Sequence, residues 1–273
     1  MPVVQQHAPG TVLPVGATAT EPSAPRPRTL VIVPALNEEA SLPGVLRELA
    51  AHVPEAKVLV VDDGSSDDTA VVAREAGAMV AQLPFNLGVG GALRTGFRYA
   101  VRHGFDRAVQ LDGDGQHDPA EIPILLAALD EGADMVVGSR FAESATTTYD
   151  VGHLRGHAMR LLRLTVHLLS GQAFSDTSSG FRAFSSPMLE YFAQSYPVEY
   201  LGDTAEALLL ACYGGFHVTE VSVRMRVRSG GEPSNRSLKL VYNYLRVFVA
   251  ILTTAPAPSR RGRARRLASS GRP

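Results

Sequence analysis

Residues 107–118 read Arg-Ala-Val-Gln-Leu-Asp-Gly-Asp-Gly-Gln-His-Asp, a run that begins apolar and ends in closely spaced carboxylates. Residues 107–111 predict a buried strand, and Asp112-Gly113-Asp114 follows at its end. Neighbouring carboxylates repel unless a cation lies beside them, and Mg²⁺ or Mn²⁺ accepts carboxylate, water and phosphate oxygens together. We therefore expect Asp112, Asp114 and Gln116 to bind such a metal; a metal-free acidic turn is the alternative.

The sequence around this strand repeats the same alternation of apolar runs and helical patterns. Further strands are predicted at residues 29–33, 57–61, 78–81 and 133–138, with amphipathic segments between them. This order predicts an α/β fold with a Rossmann-like, doubly wound, mostly parallel sheet. Ligands of such sheets bind at the carboxyl ends of the strands. The polar clusters at residues 62–67 and 112–118 each follow a predicted strand.

The second half of the chain is less regular. A helix is predicted at residues 153–169, with four leucines available for burial: Leu154, Leu161, Leu162 and Leu168. A polar loop follows at 175–180, then a helix at 203–213 and a strand at 216–223. Four segments result: a disordered arm (1–28), a catalytic domain (29–236), an amphipathic helix (237–256) and a basic disordered tail (257–273).

Composition excludes several classes of protein. The 273 residues carry 26 basic and 27 acidic side chains, so no nucleic-acid partner is expected. Cys212 is the only cysteine, which is typical of a reducing compartment. The sequence shows no secretory signal and no apolar run of membrane-spanning length, so we expect a cytoplasmic protein whose contact with lipid is peripheral.

The last residues carry the densest positive charge in the sequence, with no acid among residues 259–273. A solvated tail is the simple interpretation, and an anchor to the anionic inner face of a membrane is the alternative. The arginines of this tail are Arg260, Arg261, Arg263, Arg265, Arg266 and Arg272.

A second acidic pair, Asp62-Asp63, follows the second predicted strand. Carboxylates at this place can accept hydrogen bonds from a nucleoside, and a helix-capping loop is the alternative. Residues 86–94 add glycines and Arg94 near the same crevice. No Gly-X-Gly-X-X-Gly follows the first strand, which disfavours a dinucleotide-dependent oxidoreductase.

Five motifs in this order resemble the signatures of family 2 glycosyltransferases. The region Asp112-Gly-Asp-Gly-Gln-His117, together with Gly138-Ser-Arg140, is similar to the corresponding motifs of the dolichol- and polyprenyl-phosphate mannose or glucose synthases. The motifs are Val33-Pro-Ala-Leu-Asn-Glu-Glu39, Val61-Asp-Asp-Gly-Ser-Ser-Asp67, Asn86-Leu-Gly88, Asp112-Gly-Asp114 and Val137-Gly-Ser-Arg140. The resemblance covers residues 29–235 and implies an inverting enzyme of the GT-A fold, whose second half faces the acceptor. It also implies a nucleotide-diphosphate-sugar donor, Mg²⁺ or Mn²⁺, and a polyprenyl phosphate or cell-envelope glycan as acceptor.

The resemblance also assigns roles to individual residues. It places Pro34, Asn37, Glu38 and Asp63 at the nucleoside, and Asp112, Asp114 and Gln116 at the metal and diphosphate. It places Arg140, Arg155 and Arg182 near phosphate groups. Further positive charge beside the Gly230-Gly231 loop, which is interpreted as a flap over the donor, comes from Arg224, Arg226 and Arg228. A solvated strand edge is the alternative for these three.

Asp203 is the candidate general base for a hydroxyl acceptor, with Glu206 in reserve. A lipid phosphate arrives ionised and requires no base. Two other classes stay open from sequence: a nucleotide-sugar-binding protein without turnover, and a sugar nucleotidyltransferase. The latter usually carries a glycine-rich basic loop after the first strand, where this chain has Ala35-Leu-Asn-Glu38.

Overall fold

A seven-stranded sheet forms the centre of the molecule in the computed structural model, which describes residues 27–140, 153–197 and 203–226. The strands are β1 (Thr29–Ala35), β2 (Lys57–Asp62), β3 (Met79–Gln82), β4 (Arg107–Gln110), β5 (Met135–Ser139), β6 (Arg182–Ser185) and β7 (Val218–Ser222). Their order is β3-β2-β1-β4-β6-β5-β7. Only β6 runs antiparallel to its neighbours among these pairings. The predicted α/β, mostly parallel sheet is confirmed.

Helices cover both faces of this sheet. They are α1 (Leu42–His52), α2 (Thr69–Glu75), α3 (Val89–Arg102), α4 (Ile122–Asp130), α5 (His153–Ser170), α6 (Ser186–Ser195) and α7 (Asp203–Tyr213), with a short 3₁₀ helix at Pro119–Glu121. Helices α1, α2 and α4 contribute to the apolar core on one face. Helices α3, α5, α6 and α7 contribute to the core on the other face.

The central strand β1 shows why its sequence is uniformly apolar. Leu30 and Ile32 belong to one core, while Val31 and Val33 belong to the other, and all four are fully buried. Successive side chains of a strand point to opposite faces, so a strand covered on both faces needs apolar residues at every position. This burial fixes β1 in the middle of the sheet.

Pairing on both sides of β1 brings two acidic segments to one edge. Ala35 pairs with Asp62 of β2, and Ile32 pairs with Gln110 of β4. Because the three strands are parallel, the segments that follow them leave the sheet at the same edge. The spacing of strands places the ends of β2 and β4 about 10 Å apart, across one intervening strand.

The structure adds two elements that the sequence did not predict, β6 and α6. Strand β6 has four residues and inserts between β4 and β5; β5 is the preceding strand, separated from β6 by α5, and β4 lies further away in sequence. So short an apolar segment gives no periodicity that separates strand from loop. Phe184 of β6 and Phe192 of α6 pack against Phe97 of α3, which joins both elements to the core.

Of the leucines available for burial on α5, Leu162 is buried, whereas Leu161 and Leu168 are not. Leu161 is 57% exposed and Leu168 72% exposed, and Leu164 between them is 53% exposed. These three leucines lie at helical spacing on one face, which packs against no described element. We call them the α5 leucine face.

Several predicted segments lie outside the described residues. These are the arm through residue 26, the helix at 237–256, the basic tail at 257–273 and Arg228. Arg28 is described, and its guanidinium donates to the carbonyls of His103 and Gly104 at 3.0 Å each. Within the described ranges, the helices are too short or too polar to cross a membrane.

We expect Gly64→Ala to lower stability more than Gly77→Ala does. Both glycines have positive φ, +77° and +82°, where a Cβ costs about 1–2 kcal/mol. A Cβ at Gly64 would also lie 2.8 Å from the carbonyl carbon of Phe85, whereas Gly77 has no neighbouring atom within 4 Å. The free energy of unfolding in urea should therefore fall by about 1–2 kcal/mol for Gly77→Ala and clearly further for Gly64→Ala. Equal losses would contradict the close contact between the Gly64 loop and Phe85.

Candidate active site

Two loops at the carboxyl edge, residues 36–39 and 64–69, are joined by reciprocal hydrogen bonds. The Asn37 amide oxygen accepts from the Ser66 N–H at 2.9 Å, and the Asn37 N–H donates to Ser65 Oγ at 3.0 Å. The Glu38 N–H donates to Thr69 Oγ1 at 2.8 Å. Asn37 itself has φ 54°, a left-handed conformation that asparagine tolerates better than most residues. The two loops, together with Asp62 and Asp63 at the end of β2, therefore form one cross-linked wall, which we call the Asp63 wall.

Asp62 ends β2 inside this wall and is fully buried. Its Oδ1 accepts from the Ser65 N–H at 2.9 Å, whereas its Oδ2 is buried without a hydrogen-bond partner among the described residues. A buried carboxylate oxygen costs free energy unless it accepts a hydrogen bond. A ligand hydroxyl or N–H reaching Oδ2 would satisfy it.

Asp63 lies next to Asp62 and is also nearly buried. Its N–H donates to the Ala35 carbonyl at 2.9 Å, and its Oδ1 accepts from the Leu87 N–H at 2.7 Å. Burial raises the pKa of Asp63 above its ordinary value, and the negative charge of Asp62 adds to this, while backbone N–H groups of Leu87 and Gly88 oppose it. Asp63 therefore links the ends of β1 and β2 to the loop that precedes α3.

The acidic turn after β4 holds Asp114 by its own backbone and side chains. The two oxygens of Asp114 accept from the Gln116 N–H at 3.0 Å and from Gln116 Nε2 at 2.7 Å. The Asp112 N–H donates to Nδ1 of the buried His117 at 3.0 Å. The His117 ring stacks on Phe181, 5.0 Å between centroids. We call residues 112–118 the acidic turn; these contacts hold its backbone and the Asp114 side chain in place.

The acidic turn and the Asp63 wall share the end of β1 between them. A Cβ placed on Gly113 would lie 3.7 Å from the Pro34 carbonyl oxygen and 3.7 Å from Glu38 Cγ, and Asp63 bonds the next residue of β1, Ala35, from the other side. Pro34 and Glu38 are half-buried and Asn37 is exposed. The acidic turn, predicted to bind metal, and Asp63, predicted to bind the nucleoside, thus lie on opposite sides of the end of β1.

The ligand set fits a metal that shares its coordination with substrate. No group of three or more His, Cys, Asp or Glu side chains suited to a metal occurs within residues 27–140, 153–197 and 203–226. Mg²⁺ sites commonly use one or two carboxylates together with water and substrate phosphates. Asp112 and Asp114 supply such a pair at the carboxyl edge of the sheet; the Asp112 side chain is 40% exposed, whereas Asp114 is buried.

Arg140 follows β5 and is fixed by a buried carboxylate. Its Nε donates to Asp176 Oδ2 at 2.8 Å and its Nη2 to Asp176 Oδ1 at 3.1 Å, a two-bonded pair. The Asp176 side chain is fully buried. Burial acts to raise the pKa of Asp176, but hydrogen bonds and charge from Arg140, with Ser178, outweigh it and hold this pKa below its ordinary value.

Glu220 of β7 in turn holds the loop that carries Asp176. Its two carboxylate oxygens accept from the N–H groups of Ser175 and Asp176 at 2.8 and 2.9 Å. Sequence reasoning had noted this polar loop without giving Asp176 a role, and had placed Glu220 in a strand without a partner. In the sequence, Asp176 and Glu220 are visible only as acids close to apolar segments. That pattern does not reveal which residues they bond.

The other two predicted arginines that are described serve structural contacts. Arg182 on β6 is fully buried and donates to the carbonyls of Ser179 and Thr204 at 2.8 Å each. Arg94 on α3 points to the end of α6, where its Nη2 donates to the Gln194 carbonyl. The predicted role of Arg94 in substrate binding stays a prediction.

Three predicted site residues have no described side chain. Arg155 lies in the first turn of α5, and Asp203 begins α7. Arg228 lies beyond the last described residue. Their assigned roles stay predictions. Glu206, the reserve base, is half-buried on α7.

The chain belongs to family 2 of the glycosyltransferases: a family model described as Glycosyl transferase family 2 matches residues 30–192. Polyprenol monophosphomannose synthase of Mycolicibacterium smegmatis is 33% identical over 227 residues, which cover 77% of this chain and 83% of that protein. The chain is also 30% identical over 217 residues to UDP-N-acetylglucosamine–dolichyl-phosphate N-acetylglucosaminyltransferase of Methanococcus voltae, covering 71% and 84% of the two chains. Within the family, the chain therefore falls in the branch of polyprenyl-phosphate sugar transferases.

Solved structures support the fold. Glucosyl-3-phosphoglycerate synthase from Mycobacterium tuberculosis, in complex with Mn²⁺, UDP and glucosyl-3-phosphoglycerate, superposes with a TM-score of 0.65 at 24% identity. The match covers 86% of this chain and 82% of that one. The predicted GT-A fold is confirmed.

Replacing Asp176 should destabilise the protein in a pH-dependent way. Because the folded-state pKa of Asp176 lies below the unfolded value of about 4, its pairing stabilises the fold above that value and ceases to do so as pH falls through the folded pKa. Asp176→Asn should lower the free energy of unfolding by about 3 kcal/mol at pH 7. The difference from the unchanged protein should shrink in strong acid, as measured by urea unfolding across pH.

Asp130→Asn is the matched control for this measurement. Asp130 also forms a 2.9 Å bond to an arginine, Arg107, but its side chain is 63% exposed. Exposed pairs contribute little, so this variant should stay within about 0.5 kcal/mol of the unchanged protein. A similar small loss for Asp176→Asn would show that the Arg140 pair is not held as described.

Proposed function

We propose that this glycosyltransferase is an inverting enzyme that transfers a sugar from a nucleotide-diphosphate donor to a polyprenyl phosphate. The observation that carries the proposal is the convergence of polar groups from β1, β2 and β4 on one edge of the sheet. The Asp63 wall provides carboxylates for a nucleoside, and the acidic turn provides carboxylates for a metal-bound diphosphate. About one strand spacing on each side of β1 separates them, a span that suits one nucleotide.

The nucleoside is assigned to the Asp63 wall. The unpartnered Oδ2 of Asp62 is a buried acceptor that a donor hydroxyl or N–H can satisfy. Pro34, Asn37 and Glu38 line the same wall from β1. Because the wall is cross-linked before the donor arrives, little chain entropy is lost on binding.

The diphosphate is assigned to the acidic turn, with Asp112, Asp114 and Gln116 as the residues that would hold Mg²⁺ or Mn²⁺. A bound divalent metal neutralises the negative charge that builds on the leaving diphosphate. Support comes from the glucosyl-3-phosphoglycerate synthase complexes, which contain UDP with Mn²⁺ or with Mg²⁺. In this chain, Gln116 keeps both oxygens of Asp114 in place.

Arg140 is assigned to the phosphate groups and Arg182 to positioning. The Asp176 pair presents Arg140 at the carboxyl end of β5, where a guanidinium can donate to phosphate oxygens without reorganising. Arg182 is buried, and its bond to the Thr204 carbonyl holds the first turn of α7. Asp203 lies in that turn, so Arg182 would place Asp203 at the acceptor side.

The acceptor is assigned by chemistry and by the relatives. Relatives are named for polyprenol, undecaprenyl phosphate and dolichyl phosphate. A phosphate oxygen is already ionised, so attack on the sugar carbon needs no general base, and Asp203 would serve orientation. A hydroxyl of a cell-envelope glycan would require Asp203 to take its proton. Arg155 and Arg228 are the predicted partners of the acceptor phosphate.

The enzyme is proposed to work at the cytoplasmic face of an anionic membrane, because a polyprenyl chain stays in lipid. The α5 leucine face supports this: Leu161, Leu164 and Leu168 are exposed beside Arg160 and His167. Helix α5 contains no acid among its 18 residues, a pattern typical of helices that lie in a membrane interface. The arginine tail would add attraction to anionic headgroups.

Asp114→Asn should abolish metal-dependent release of nucleoside diphosphate. The amide keeps the shape of the side chain but loses the charge that a divalent cation requires, so a loss of at least about 100-fold is expected. A screen of nucleotide sugars with Mn²⁺ identifies the donor and provides the assay. Asp130→Asn, at an exposed site on α4, should retain turnover; unchanged turnover by Asp114→Asn would refute the metal assignment.

Replacing the three leucines of the α5 leucine face with glutamine should weaken membrane binding. Each loses the burial of an aliphatic side chain in the interface. Flotation with phosphatidylcholine vesicles, with and without phosphatidylglycerol, should show binding of the unchanged protein chiefly to the anionic vesicles, and a several-fold loss for the variant.

The matched control replaces three other exposed aliphatic side chains by glutamine. Val71, Val101 and Ile124 are 45%, 41% and 47% exposed, on three different helices. This control should float like the unchanged protein. Equal binding by the leucine variant and the control would exclude the α5 leucine face as the lipid contact.

A further inference from the structure

The segment that follows β7, residues 223–226, crosses the acidic turn and bonds to it. The Val223 N–H donates to the Ser139 carbonyl at 3.1 Å, and the Arg226 N–H donates to the Gln116 carbonyl at 2.8 Å. Met225 forms an antiparallel bridge with His117. We call residues 223–226 the strap. The strap therefore pairs with the backbone of Gln116, which contacts Asp114, and of His117, which contacts Asp112.

Arg226 extends the strap to two other elements. Its Nη1 donates to Glu48 Oε2 on α1 at 2.6 Å, and its Nη2 donates to Asp118 Oδ1 at 2.8 Å. Asp118 closes the acidic turn and its Oδ1 also accepts from the Ala120 N–H. One planar guanidinium thus joins α1 to the end of the acidic turn.

Part of the acidic turn faces α1 across an open groove. A groove of about 270 Å³ lies between α1 and the turn, and its lining includes Gly44, Glu48, Gly115, His117 and Arg226. A Cβ on Gly44 would meet no atom within 4 Å, so the helix surface facing the groove is open. Across this open space, Arg226 provides two ion pairs, to Glu48 of α1 and to Asp118 of the turn.

We propose that Arg226 is a positioning residue that holds the acidic turn ready for metal and donor. The inference rests on the proposed function of that turn. Without Arg226, the turn exchanges between the held arrangement and others, and ligand binds only the held fraction. Apparent affinity falls by that fraction, whereas the bound state, and with it the chemical step, keeps its geometry.

Arg226→Ala should therefore change binding more than turnover. The half-saturating Mn²⁺ concentration and the KM for the donor should each rise about 5- to 10-fold, as expected from the loss of two partly exposed ion pairs. The kcat should fall less than about 3-fold, since the bound geometry is retained. A residue that contacts the reacting groups would instead lower kcat.

A measurement without metal or donor separates this inference from the proposed function. Amide hydrogen exchange of residues 113–118 in the free protein should accelerate about 5- to 10-fold in Arg226→Ala, because those amides open more often. Exchange in β1 and β2 should stay unchanged. If no nucleotide sugar is turned over, the proposed function fails, and this exchange still decides the role of the strap.

Two further variants and a control complete the design. Arg226→Lys keeps the charge but reaches only one carboxylate at a time, so its effects should be intermediate. Glu48→Gln weakens the α1 anchor, leaves the strap sequence intact and should show the same direction of change. Asp130→Asn removes a comparable ion pair far from the turn and should change neither exchange nor KM.

Three outcomes would overturn the inference. The first is unchanged exchange of residues 113–118 in both Arg226→Ala and Glu48→Gln. The second is a fall of kcat in Arg226→Ala with KM and half-saturating Mn²⁺ unaltered. The third is an equal effect from Asp130→Asn, which would indicate a general loss of stability.

Discussion

The pairing of β1 with β2 on one side and β4 on the other determines where the polar groups of this enzyme lie. Burial of Leu30, Val31, Ile32 and Val33 on both faces keeps β1 central. A slip of one residue in either pairing would move the side chains of a strand to the opposite core and disrupt the packing on both faces. The register that buries the core is therefore the same register that brings Asp63 and the acidic turn to one edge.

Rigidity at this edge comes from polar contacts between loops. Asn37, Ser65, Ser66 and Thr69 join the loops after β1 and β2. Gln116 and His117 play the same part within the acidic turn. Groups that are fixed before the reaction need not reorganise when charge develops, which is the main electrostatic advantage of an enzyme over water.

The sequence predicted the first half of this fold well, because each strand there is a short apolar run followed by a polar cluster and an amphipathic helix. Strand β6 was missed because four residues carry no clear period and its partners β4 and β5 are distant in sequence. Leu161 and Leu168 were counted as available for burial because helical spacing identifies an apolar face but not what covers it. Residue types thus gave the local elements, whereas pairings between distant segments required the structure.

Because sequence does not reveal the partners of a side chain, it also did not distinguish the environments of Arg140 and Arg182. The resemblance to family 2 glycosyltransferases implied phosphate contact for Arg140 and Arg182 alike. Arg140 is fixed by Asp176 and Ser178 at the end of β5, whereas Arg182 is buried and bonds backbone carbonyls of two other segments. What separates the two is the partner: a loop carboxylate held by Glu220 in one case, main-chain oxygens in the other.

The buried carboxylate of Asp176 also offsets most of the positive charge of Arg140 at the proposed donor site. A guanidinium paired with a buried carboxylate adds little net charge, so its long-range attraction for a diphosphate is weak. Its N–H groups are nevertheless fixed in direction, and short-range donation to phosphate oxygens depends on direction more than on net charge. An arginine held by Asp176 would therefore suit recognition of the geometry of the proposed leaving diphosphate, whereas neutralisation of its charge would fall to the cation proposed at the acidic turn.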